Sequence, residues 1–355
     1  MPVIFFDEYR PDHDPIVGGK CSSLGAMTTA GLPVPDGFAV TTEGFLHSIN
    51  HHGIYTHILE RLEGLDHRDL EAVSAAGAEI RSAIVEAGPA PEVADAIRCA
   101  YTRLCERSGD QVRVAVRSSA NAEDQPDASF AGQQDTYLWV GGDDVVAKVV
   151  DCWASLFTDR AIVYRAEHGY PHSQAAICVG VQKMVEPVAA GVAFTLNPTN
   201  GDRSKVVIDS AWGLGESVVS GSVTPDNFVV DKVIFEIVKK TISPKEIEVV
   251  PAADGVEHRP LDPERSTAPS LTDDQVRAVA RMARAVEKHF GRPQDVEWAL
   301  DPHTADGEPA VVLLQSRPET VWSNKPRPTV SQGVHSAMDG IVSTLLNPVR
   351  VKPET

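Results

Sequence analysis

The chain has 355 residues, 42% of them apolar, and a formal net charge of −18 that arises from 32 basic and 50 acidic residues. This length suits two or three subdomains with a buried core. The acidic balance argues against nucleic acid and anionic membrane surfaces as partners, so any bound anion must be held by local cations and backbone N–H groups.

The beginning of the chain and the cysteines indicate where the protein works. The opening "MPVIFFDEYRPDHD" has no basic leader and no small-residue cleavage site, and no stretch of the sequence reaches the roughly 18 apolar residues of a membrane span. The five cysteines are scattered without C-x-x-C spacing, which favours reduced thiols over a disulfide framework or a zinc site. We therefore expect a cytoplasmic protein without a signal peptide.

The first third of the sequence predicts helices. Apolar residues recur at helical spacing in "LEAVSAAGAEIRSAIVEAG" and "PEVADAIRCAYTRLCERSG", and a glycine closes each segment. From Val112 onward the pattern changes to short, valine-rich segments bounded by Gly, Pro or Asn, which predicts strands. These segments are "VRVAVRSS", "AICVGVQKMV", "GVAFTLNP", "KVVIDSAWG" and "DNFVVDKV".

The last third predicts a helix followed by a hairpin. Thr272 and Gln275 have the spacing of a capping box, and Gly291 follows the last helical turn. "DVEWALD" then alternates apolar and polar residues, and "AVVLLQSRP" follows a polar turn at 301–309. Beyond Pro318, "SNKPRPTVSQG" has the composition of a linker, and "GIVSTLLNPV" is apolar enough to dock.

Two glycine-containing segments are candidates for nucleotide contacts. "VGGK" at 17–20 is typical of a phosphate loop in which Lys20 opens a helix, although an ordinary lysine at a helix start is the alternative. It is not a Walker A loop, because Asp14 and Cys21 occupy the positions that require Gly and Ser or Thr. "GLGESVVSG" at 213–221 departs from a dinucleotide fingerprint at Val218, which leaves a loop over a nucleotide or a plain turn.

Arg117 leaves an apolar strand in "VAVRSSANAED" and precedes Ser118 and Ser119. A guanidinium beside two hydroxyls can clamp a phosphate, while a surface ion pair is the simpler alternative. The next segment, "ASFAGQQDTYLWV", carries Gly132 and Thr136 and suits a mobile loop over phosphates.

The hairpin supplies a third candidate. Glu297 points away from Val296, while Gln315 and Arg317 share one face through their spacing of two. A carboxylate, an amide oxygen and a guanidinium make a platform for Mg²⁺ and polyphosphate. The alternative is a half-exposed hairpin with a salt bridge, because the register is not readable from the sequence.

Hydrolase and metalloprotease classes are disfavoured. The sequence contains neither a G-x-S-x-G elbow nor an H-E-x-x-H helix. The twelve histidines are scattered, and "HSINHH" at 47–52 favours a solvated face over a metal site.

The order of the motifs resembles one family. "VGGKCSSLGAMTTAGLPVPDGFAVTTEGF", "VRSSANAEDQPDASFAGQQDTYL", "VQKMVEPVAAGVAFTLNP", "GLGESVVSGSVTPDNFVV" and "DVEWAL...LLQSRP" together resemble the nucleotide-binding part of the phosphoenolpyruvate synthase and pyruvate phosphate dikinase family, a module shared by rifampicin phosphotransferase. The resemblance covers about residues 15–320. It implies an α+β ATP-grasp fold with two subdomains, at 1–190 and 191–324, that enclose a nucleotide cleft, followed by a linker and docking tail at 325–355.

The resemblance also implies roles for individual residues, with ATP and Mg²⁺ as ligands. Glu297 and Gln315 would coordinate Mg²⁺. The residues that would hold phosphates are Lys20, Arg117, Gly132, Thr136 and Arg317, of which Lys20, Arg117 and Arg317 would be catalytic. The residues that would line the adenine pocket, partly through backbone groups, are Gln182, Lys183, Met184 and Val185.

The family reaction splits ATP into AMP and phosphate and places a phosphoryl group on a histidine of a separate domain. His335 in "SQGVHSAMDG" does not fit the family's carrier motif, so we expect the phosphohistidine and the substrate-binding part on a partner subunit. This arrangement resembles phenylphosphate synthase, which implies a phenolic substrate of the phenol or 4-methylphenol type. Three alternatives stay open: the ATP module of a phosphoenolpyruvate synthase or antibiotic phosphotransferase system, a fragment of a larger single-chain enzyme, and a non-catalytic nucleotide-sensing module.

Overall fold

The structure is a computed structural model that describes residues 1–109, 111–120, 124–125, 128–129, 135–253, 255–303 and 309–323, with the backbone alone at 120, 124–125 and 128–129. Gly132 and the predicted tail at 325–355 lie outside the described residues. Residues 1–319 form one compact unit. The described residues 320–323 belong to a second unit, in which 321–323 make a turn.

The described residues contain helices and strands in alternating groups. The α-helices are Asp14–Thr29 (α1), Thr42–His51 (α2), Ile54–Leu62 (α3), Leu70–Ala87 (α4), Pro91–Ser108 (α5), Val145–Ser155 (α6), Asp159–Glu167 (α7), Glu216–Val219 (α8), Pro263–Thr267 (α9) and Asp273–Phe290 (α10). The strands are Val3–Phe5 (β1), Gly37–Val40 (β2), Val114–Ala120 (β3), Asp124–Gln125 (β4), Ala128–Ser129 (β5), Thr136–Val140 (β6), Ile177–Lys183 (β7), Ala189–Phe194 (β8), Lys205–Trp212 (β9), Asp226–Asp231 (β10), Ile237–Thr241 (β11), Ile247–Ala252 (β12), Gly255–Pro260 (β13), Gln294–Asp301 (β14) and Ala310–Pro318 (β15).

Local sequence signals explain where the predicted elements begin and end. Thr272 Oγ1 accepts a hydrogen bond from the Gln275 N–H at 3.3 Å, and Gln275 Oε1 accepts one from the Thr272 N–H at 2.8 Å, which closes the capping box of α10. Gly291 ends this helix with a φ of 68°, a conformation that glycine adopts without steric cost. The helices predicted in the first third and the late hairpin are also present as α4, α5 and β14–β15.

The first sheet is antiparallel and has the strand order β1-β2-β7-β3-β6 among the described strands. One face packs against helices α2 to α7 through a large apolar core that includes Phe38, Val116, Trp153 and Val181. Because the strands of this face are rich in β-branched residues, they fit the pleated, buried surface well. The sheet therefore fixes the positions of β3 and β7, which carry several predicted site residues.

The second sheet is also antiparallel, with the order β11-β10-β9-β8-β14-β15 among the described strands. Helix α10 covers one face, where Val279 and Val286 meet Trp298 and Leu313 in a second core. The hairpin β14–β15 forms the end of this sheet. The combination of helices and antiparallel sheets confirms the α+β prediction, while the division into two subdomains at residue 190 stays a prediction.

Helix α1 lies between the two sheets. Its apolar residues Val17, Leu24 and Met27 belong to the second core, together with Ile4 and Cys178 from the far face of the first sheet. The Ser23 hydroxyl also donates to the Ser316 backbone oxygen of β15 at 2.7 Å. Helix α1 therefore contacts both the first sheet and the final hairpin.

None of the helices in the described ranges combines the length and the apolar character that a bilayer crossing requires.

Candidate functional site

A kink in α1 brings the "VGGK" segment against strand β3. Gly18 has φ 67° and ψ 164°, which breaks the helical conformation within α1. A Cβ atom at this position would lie 2.4 Å from the backbone oxygen of Ser119. Only glycine therefore permits both the backbone conformation and the close approach, and the helix resumes just before Lys20.

Serine side chains tie this kink to the end of β3. The Ser119 hydroxyl donates to the Val17 oxygen at 3.3 Å and accepts from the Cys21 N–H at 3.4 Å. The Ser118 hydroxyl donates to the Asp135 oxygen at 3.3 Å. Both serines are buried. The interpretation of these hydroxyls as partners of Arg117 in a phosphate clamp is therefore wrong, because they are buried and bond to the protein backbone.

Two cationic side chains meet at this junction. The Lys20 ammonium donates to the Ser118 backbone oxygen at 3.3 Å, which places it beside the end of β3. Arg117 reaches the other sheet: its Nη1 donates to the Leu314 oxygen at 3.3 Å, and its Nη2 lies 3.8 Å from a carboxylate oxygen of Glu297. The simpler alternative for Arg117, an ion pair, is thus present, but it is partly buried and joins the two sheets.

The register of the final hairpin brings the predicted Mg²⁺ ligands together. Glu297 pairs directly with Gln315, and Asp295 pairs with Arg317. A bulge follows Glu297, so that Leu314 is the extra residue whose carbonyl faces Arg117. Val296 is buried in the second core, and alternation along the strand therefore places Glu297 on the opposite face.

Asp295 is absent from the predicted set, yet it lies on the same face. Its Oδ2 is 3.4 Å from Nε of Arg317, and its buried Oδ1 has no hydrogen-bond partner within the described part of the chain. Burial raises the pKa of the Asp295 carboxyl, and the Arg317 guanidinium opposes that shift. The sequence signal was the spacing of two between this residue and Glu297, which alone does not distinguish a site residue from a surface carboxylate.

Comparison with known proteins identifies the family of the domain that contains these residues. A family model described as "Pyruvate phosphate dikinase, AMP/ATP-binding domain" matches residues 14–337. The chain belongs to this family. Its membership confirms the family resemblance seen in the sequence and makes the junction of α1, β3, β14 and β15 part of an ATP-binding domain.

Curated relatives of this ATP-binding family are longer than the chain. It is 43% identical over 346 residues to a probable phosphoenolpyruvate synthase of Staphylothermus marinus, covering 90% of this chain and 41% of that protein. It is 45% identical over 323 residues to a probable phosphoenolpyruvate synthase of Methanocaldococcus jannaschii, covering 90% and 26%. For the phosphoenolpyruvate synthase of Aeropyrum pernix the identity is 43% over 353 residues, covering 91% and 43%. The chain therefore spans less than half the length of these relatives.

In this ATP-binding domain, the predicted adenine segment lies at the other end of β7. The Gln182 side chain is buried and its Nε2 donates to the Pro35 oxygen at 3.5 Å, so only its backbone could contribute to a pocket. The Lys183 N–H donates to the Asp36 oxygen at 2.8 Å. Met184 receives a 2.9 Å hydrogen bond at sulfur from the Trp139 N–H. Lys183, Met184 and Val185 are partly exposed, as a pocket lining requires.

The distance between the Arg117 end of the site and the predicted adenine segment suits a nucleotide. Arg117 pairs with Gly180 across β3 and β7. Met184 lies four residues further along the chain, so it is about 13 Å from this pair at the usual rise of a strand. This span is on the scale of an extended adenosine triphosphate. Thr136 pairs with Arg117 in the neighbouring strand and is exposed at the phosphate end, while Gly132 lies outside the described residues.

The second glycine-containing segment contacts a different part of the domain. Gly213 has φ 72°, and a Cβ there would lie 2.3 Å from the Val249 oxygen of β12. The next N–H, of Leu214, donates to the same oxygen at 2.8 Å. Close packing of the backbone therefore explains why residue 213 is a glycine, as it would in a plain turn. A buried carboxylate oxygen of Glu216 in α8 has no hydrogen-bond partner among the residues described, so a nucleotide contact by this segment stays a prediction.

Proposed function

We propose that this chain is the ATP-binding module of a phosphoenolpyruvate synthase-type system, which passes a phosphoryl group from ATP to a histidine on a separate carrier domain or subunit. One observation carries the proposal: Lys20, Arg117, Glu297 and Gln315 come from distant parts of the sequence and converge where α1, β3, β14 and β15 meet. A hairpin with an ordinary salt bridge requires one carboxylate and one cation, and it does not require the other two residues to meet at the same place.

Lys20, Arg117 and Arg317 supply the positive charge for the phosphates. The chain carries a net charge of −18, so a polyphosphate requires local cations of this kind. The guanidinium of Arg117 can present several N–H groups in one plane to phosphate oxygens. Its contact with Glu297 orients it, and Thr136 in the neighbouring strand can add a hydroxyl donor.

The oxygen donors of the hairpin fit Mg²⁺. The Glu297 carboxylate and the Gln315 amide oxygen are the hard ligands that this ion prefers. The Oδ1 atom of Asp295, which has no hydrogen-bond partner among the described residues, offers a third oxygen on the same face. When bound there, Mg²⁺ would neutralise charge on the phosphate groups. Asp295 also holds the Arg317 guanidinium at the hairpin.

The proposed reaction consumes ATP and water and yields AMP and orthophosphate. In this proposal a histidine nitrogen bonds to the β-phosphorus as the bond between the α- and β-phosphate groups breaks and AMP leaves. Water then breaks the bond between the β- and γ-phosphate groups and releases orthophosphate, and the proton of the histidine nitrogen goes to solvent. The residues of this chain act by positioning the triphosphate and by stabilising charge on the groups that depart, since phosphoryl transfer needs little other assistance from a protein. Lys20, Arg117 and Arg317 perform that role in the proposal.

The carrier histidine and the acceptor pocket belong to parts of the system beyond the described residues. The relatives named above are phosphoenolpyruvate synthases, and they favour this alternative over the phenolic acceptor of phenylphosphate synthase. Pyruvate is thus the acceptor that we propose. A phenolic acceptor and a split two-subunit arrangement remain a second hypothesis, based only on the resemblance in the sequence.

Nucleotide binding is the first test. Calorimetry with Mg-ATP should give saturable binding to the native chain and weaker binding to Glu297→Gln and Gln315→Ala. Glu86→Gln is the matched control, because Glu86 is an exposed carboxylate on α4. If both hairpin variants bind Mg-ATP as tightly as the control, the assignment of the site is wrong.

Phosphoryl transfer is the second test. The native chain is incubated with ATP labelled at the β-phosphate and with the phosphohistidine domain of a phosphoenolpyruvate synthase supplied separately. The proposal expects AMP to form and the label to move to the added domain, with both lost in Glu297→Gln. A sensor would bind ATP and leave it intact with this carrier and with every candidate partner that copurifies.

A further inference from the structure

A cluster of two histidines and a glutamate lies on the helical layer that covers the first sheet. His47 and His51 are four residues apart on α2, and Glu92 is in the first turn of α5. One ligand atom from each side chain lies within 4.8 Å of the other two. His47 Nε2 is in contact with a carboxylate oxygen of Glu92. All three residues are exposed, so a dissolved ion can reach them.

Buried contacts hold the two helices in place beneath this cluster. Ser48 is buried, and its hydroxyl donates to the Gly44 oxygen at 2.9 Å and accepts from the Ala90 N–H at 3.1 Å. Ala90 is the N-cap residue that immediately precedes α5. Phe45 and Ile49 anchor the opposite face of α2 in the core. The backbones that carry the three side chains are therefore fixed without any ion.

The donor atoms suit a transition metal better than Mg²⁺. Two imidazole nitrogens and one carboxylate oxygen are typical ligands of Zn²⁺ and related ions, whereas Mg²⁺ prefers oxygen donors alone. Histidines at positions i and i+4 of a helix present their rings on one face. Tetrahedral Zn²⁺ with bonds of about 2.0 Å needs donors roughly 3.3 Å apart. The three donors already lie within 4.8 Å of one another, and because all three side chains are exposed they can rotate to adjust these separations.

We propose that His47, His51 and Glu92 form a surface site for a divalent transition metal of the zinc class, which links α2 to α5. The site is separate from the oxygen-donor site of the final hairpin. A water molecule would complete the coordination. The alternative is a histidine–carboxylate ion pair between His47 and Glu92 with no role for His51, and the two readings differ in what His51 contributes.

Neighbouring residues supply the controls. His52 stacks edge-on against His51 with 4.8 Å between ring centroids, yet it is not one of the three grouped ligands. His52→Gln therefore changes the local histidine content and leaves the proposed ligands intact. His51→Gln removes a ligand and leaves the pair of His47 with Glu92.

The experiment measures zinc binding to the untagged full chain by competition with a chromophoric chelator, in millimolar Mg²⁺ so that oxygen-donor sites are occupied. The proposal expects one zinc per chain in the native protein and in His52→Gln. His51→Gln and Glu92→Gln should each weaken binding by at least about tenfold, the size of loss that even outer ligand contacts produce. No zinc uptake by the native chain, or equal affinity in His51→Gln, would overturn the proposal.

Cobalt spectroscopy tests whether a cysteine thiolate binds the metal. Cys99 is exposed on the same helix as Glu92, and a thiolate ligand gives Co²⁺ an intense charge-transfer band. The proposal expects only weak ligand-field bands that disappear in the His47→Gln/His51→Gln double variant. A thiolate band that survives in that variant would assign the metal to cysteine and refute the proposed site.

Discussion

Arg117 and Glu297 form an ion pair between the two sheets, with 3.8 Å between Nη2 and the carboxylate. The same guanidinium donates to the carbonyl of Leu314, the bulge residue opposite Glu297. One side chain therefore connects β3, which packs against the "VGGK" segment, with the hairpin that carries the predicted Mg²⁺ ligands. The positive charge of Arg117 pairs with Glu297, and the planar shape of its guanidinium allows the same group to reach the Leu314 carbonyl as well.

Replacing Arg117 by Lys separates shape from charge. Lysine keeps the positive charge but loses the planar fork that makes both contacts. We therefore expect the binding free energy of Mg-ATP to weaken by about 1.5–3 kcal/mol, the usual value of a hydrogen bond to a charged group. Isothermal titration calorimetry measures this loss. Arg98→Lys is the control, because Arg98 is exposed on α5 and pairs with exposed Asp95. Equal affinities of the two variants would show that charge alone suffices at Arg117.

Gly18→Ala tests the contact between α1 and β3. Alanine in the backbone conformation of Gly18, with φ 67° and ψ 164°, costs about 1–3 kcal/mol, and the added Cβ would also meet the Ser119 oxygen at 2.4 Å. Gly31→Ala is a matched control, since Gly31 has φ 75° but nothing within 4 Å of the added carbon. We expect Gly18→Ala to lower the free energy of unfolding by clearly more than the control, and to weaken ATP binding as well. Denaturant titration and calorimetry measure the two effects, and equal unfolding losses would show that the close contact relaxes freely.

Removing the lysine of the buried ion pair between Lys245 and Asp226 should lower the free energy of unfolding far more than removing the lysine of an exposed ion pair, that of Lys240 with Asp273. Lys245 Nζ lies 2.6 Å from Asp226 with both side chains fully buried, whereas Lys240 lies 2.7 Å from Asp273 at an exposed position. Lys245→Met leaves a buried carboxylate without its cation, which typically costs about 3–5 kcal/mol. Lys240→Met should cost about 0–1 kcal/mol. Chemical denaturation measures both, and similar losses would mean that the interior relaxes to solvate Asp226.

Local signals explain what the sequence predicted well. The capping box at Thr272 and the glycine at 291 determine α10 through contacts within a few residues. The alternation of the last hairpin places Glu297 opposite Val296, because a strand has a period of two. Such features depend on neighbours in the chain, so they can be inferred without knowledge of the tertiary structure.

Long-range contacts were not predictable in the same way. The partner of Ser119 is Val17, which is 102 residues away, and no local pattern indicates that this hydroxyl is used inside the protein. The register that pairs Glu297 with Gln315 depends on the bulge at Leu314. Asp295 became a candidate only because its buried Oδ1 has no hydrogen-bond partner among the residues that the structure describes. Each of these facts depends on how separate elements pack.

The pair of Arg165 and His172 makes stability dependent on pH. Arg165 is buried, and its Nε donates to Nδ1 of His172 at 3.2 Å, so the imidazole must keep a lone pair on that nitrogen. Burial, together with the nearby guanidinium, lowers the pKa of His172 from 6.5 to about 4. Between these values the unfolded chain binds a proton that the folded chain does not.

Because the folded chain binds this proton less readily than the unfolded chain, the protein should lose stability as the pH falls. The contribution of neutral His172 to stability is fully present above about pH 6.5, declines as the pH falls, and is lost at about pH 4, below which both states are protonated. Since the side chain is only about half buried, we expect a change of about 1–2 kcal/mol after solvent screening. Urea unfolding from pH 7 to pH 4 should show this slope in the native chain and in His258→Gln, whose histidine is exposed. His172→Gln should reduce the slope, because glutamine does not titrate, and an unchanged slope would assign the pH dependence to other groups.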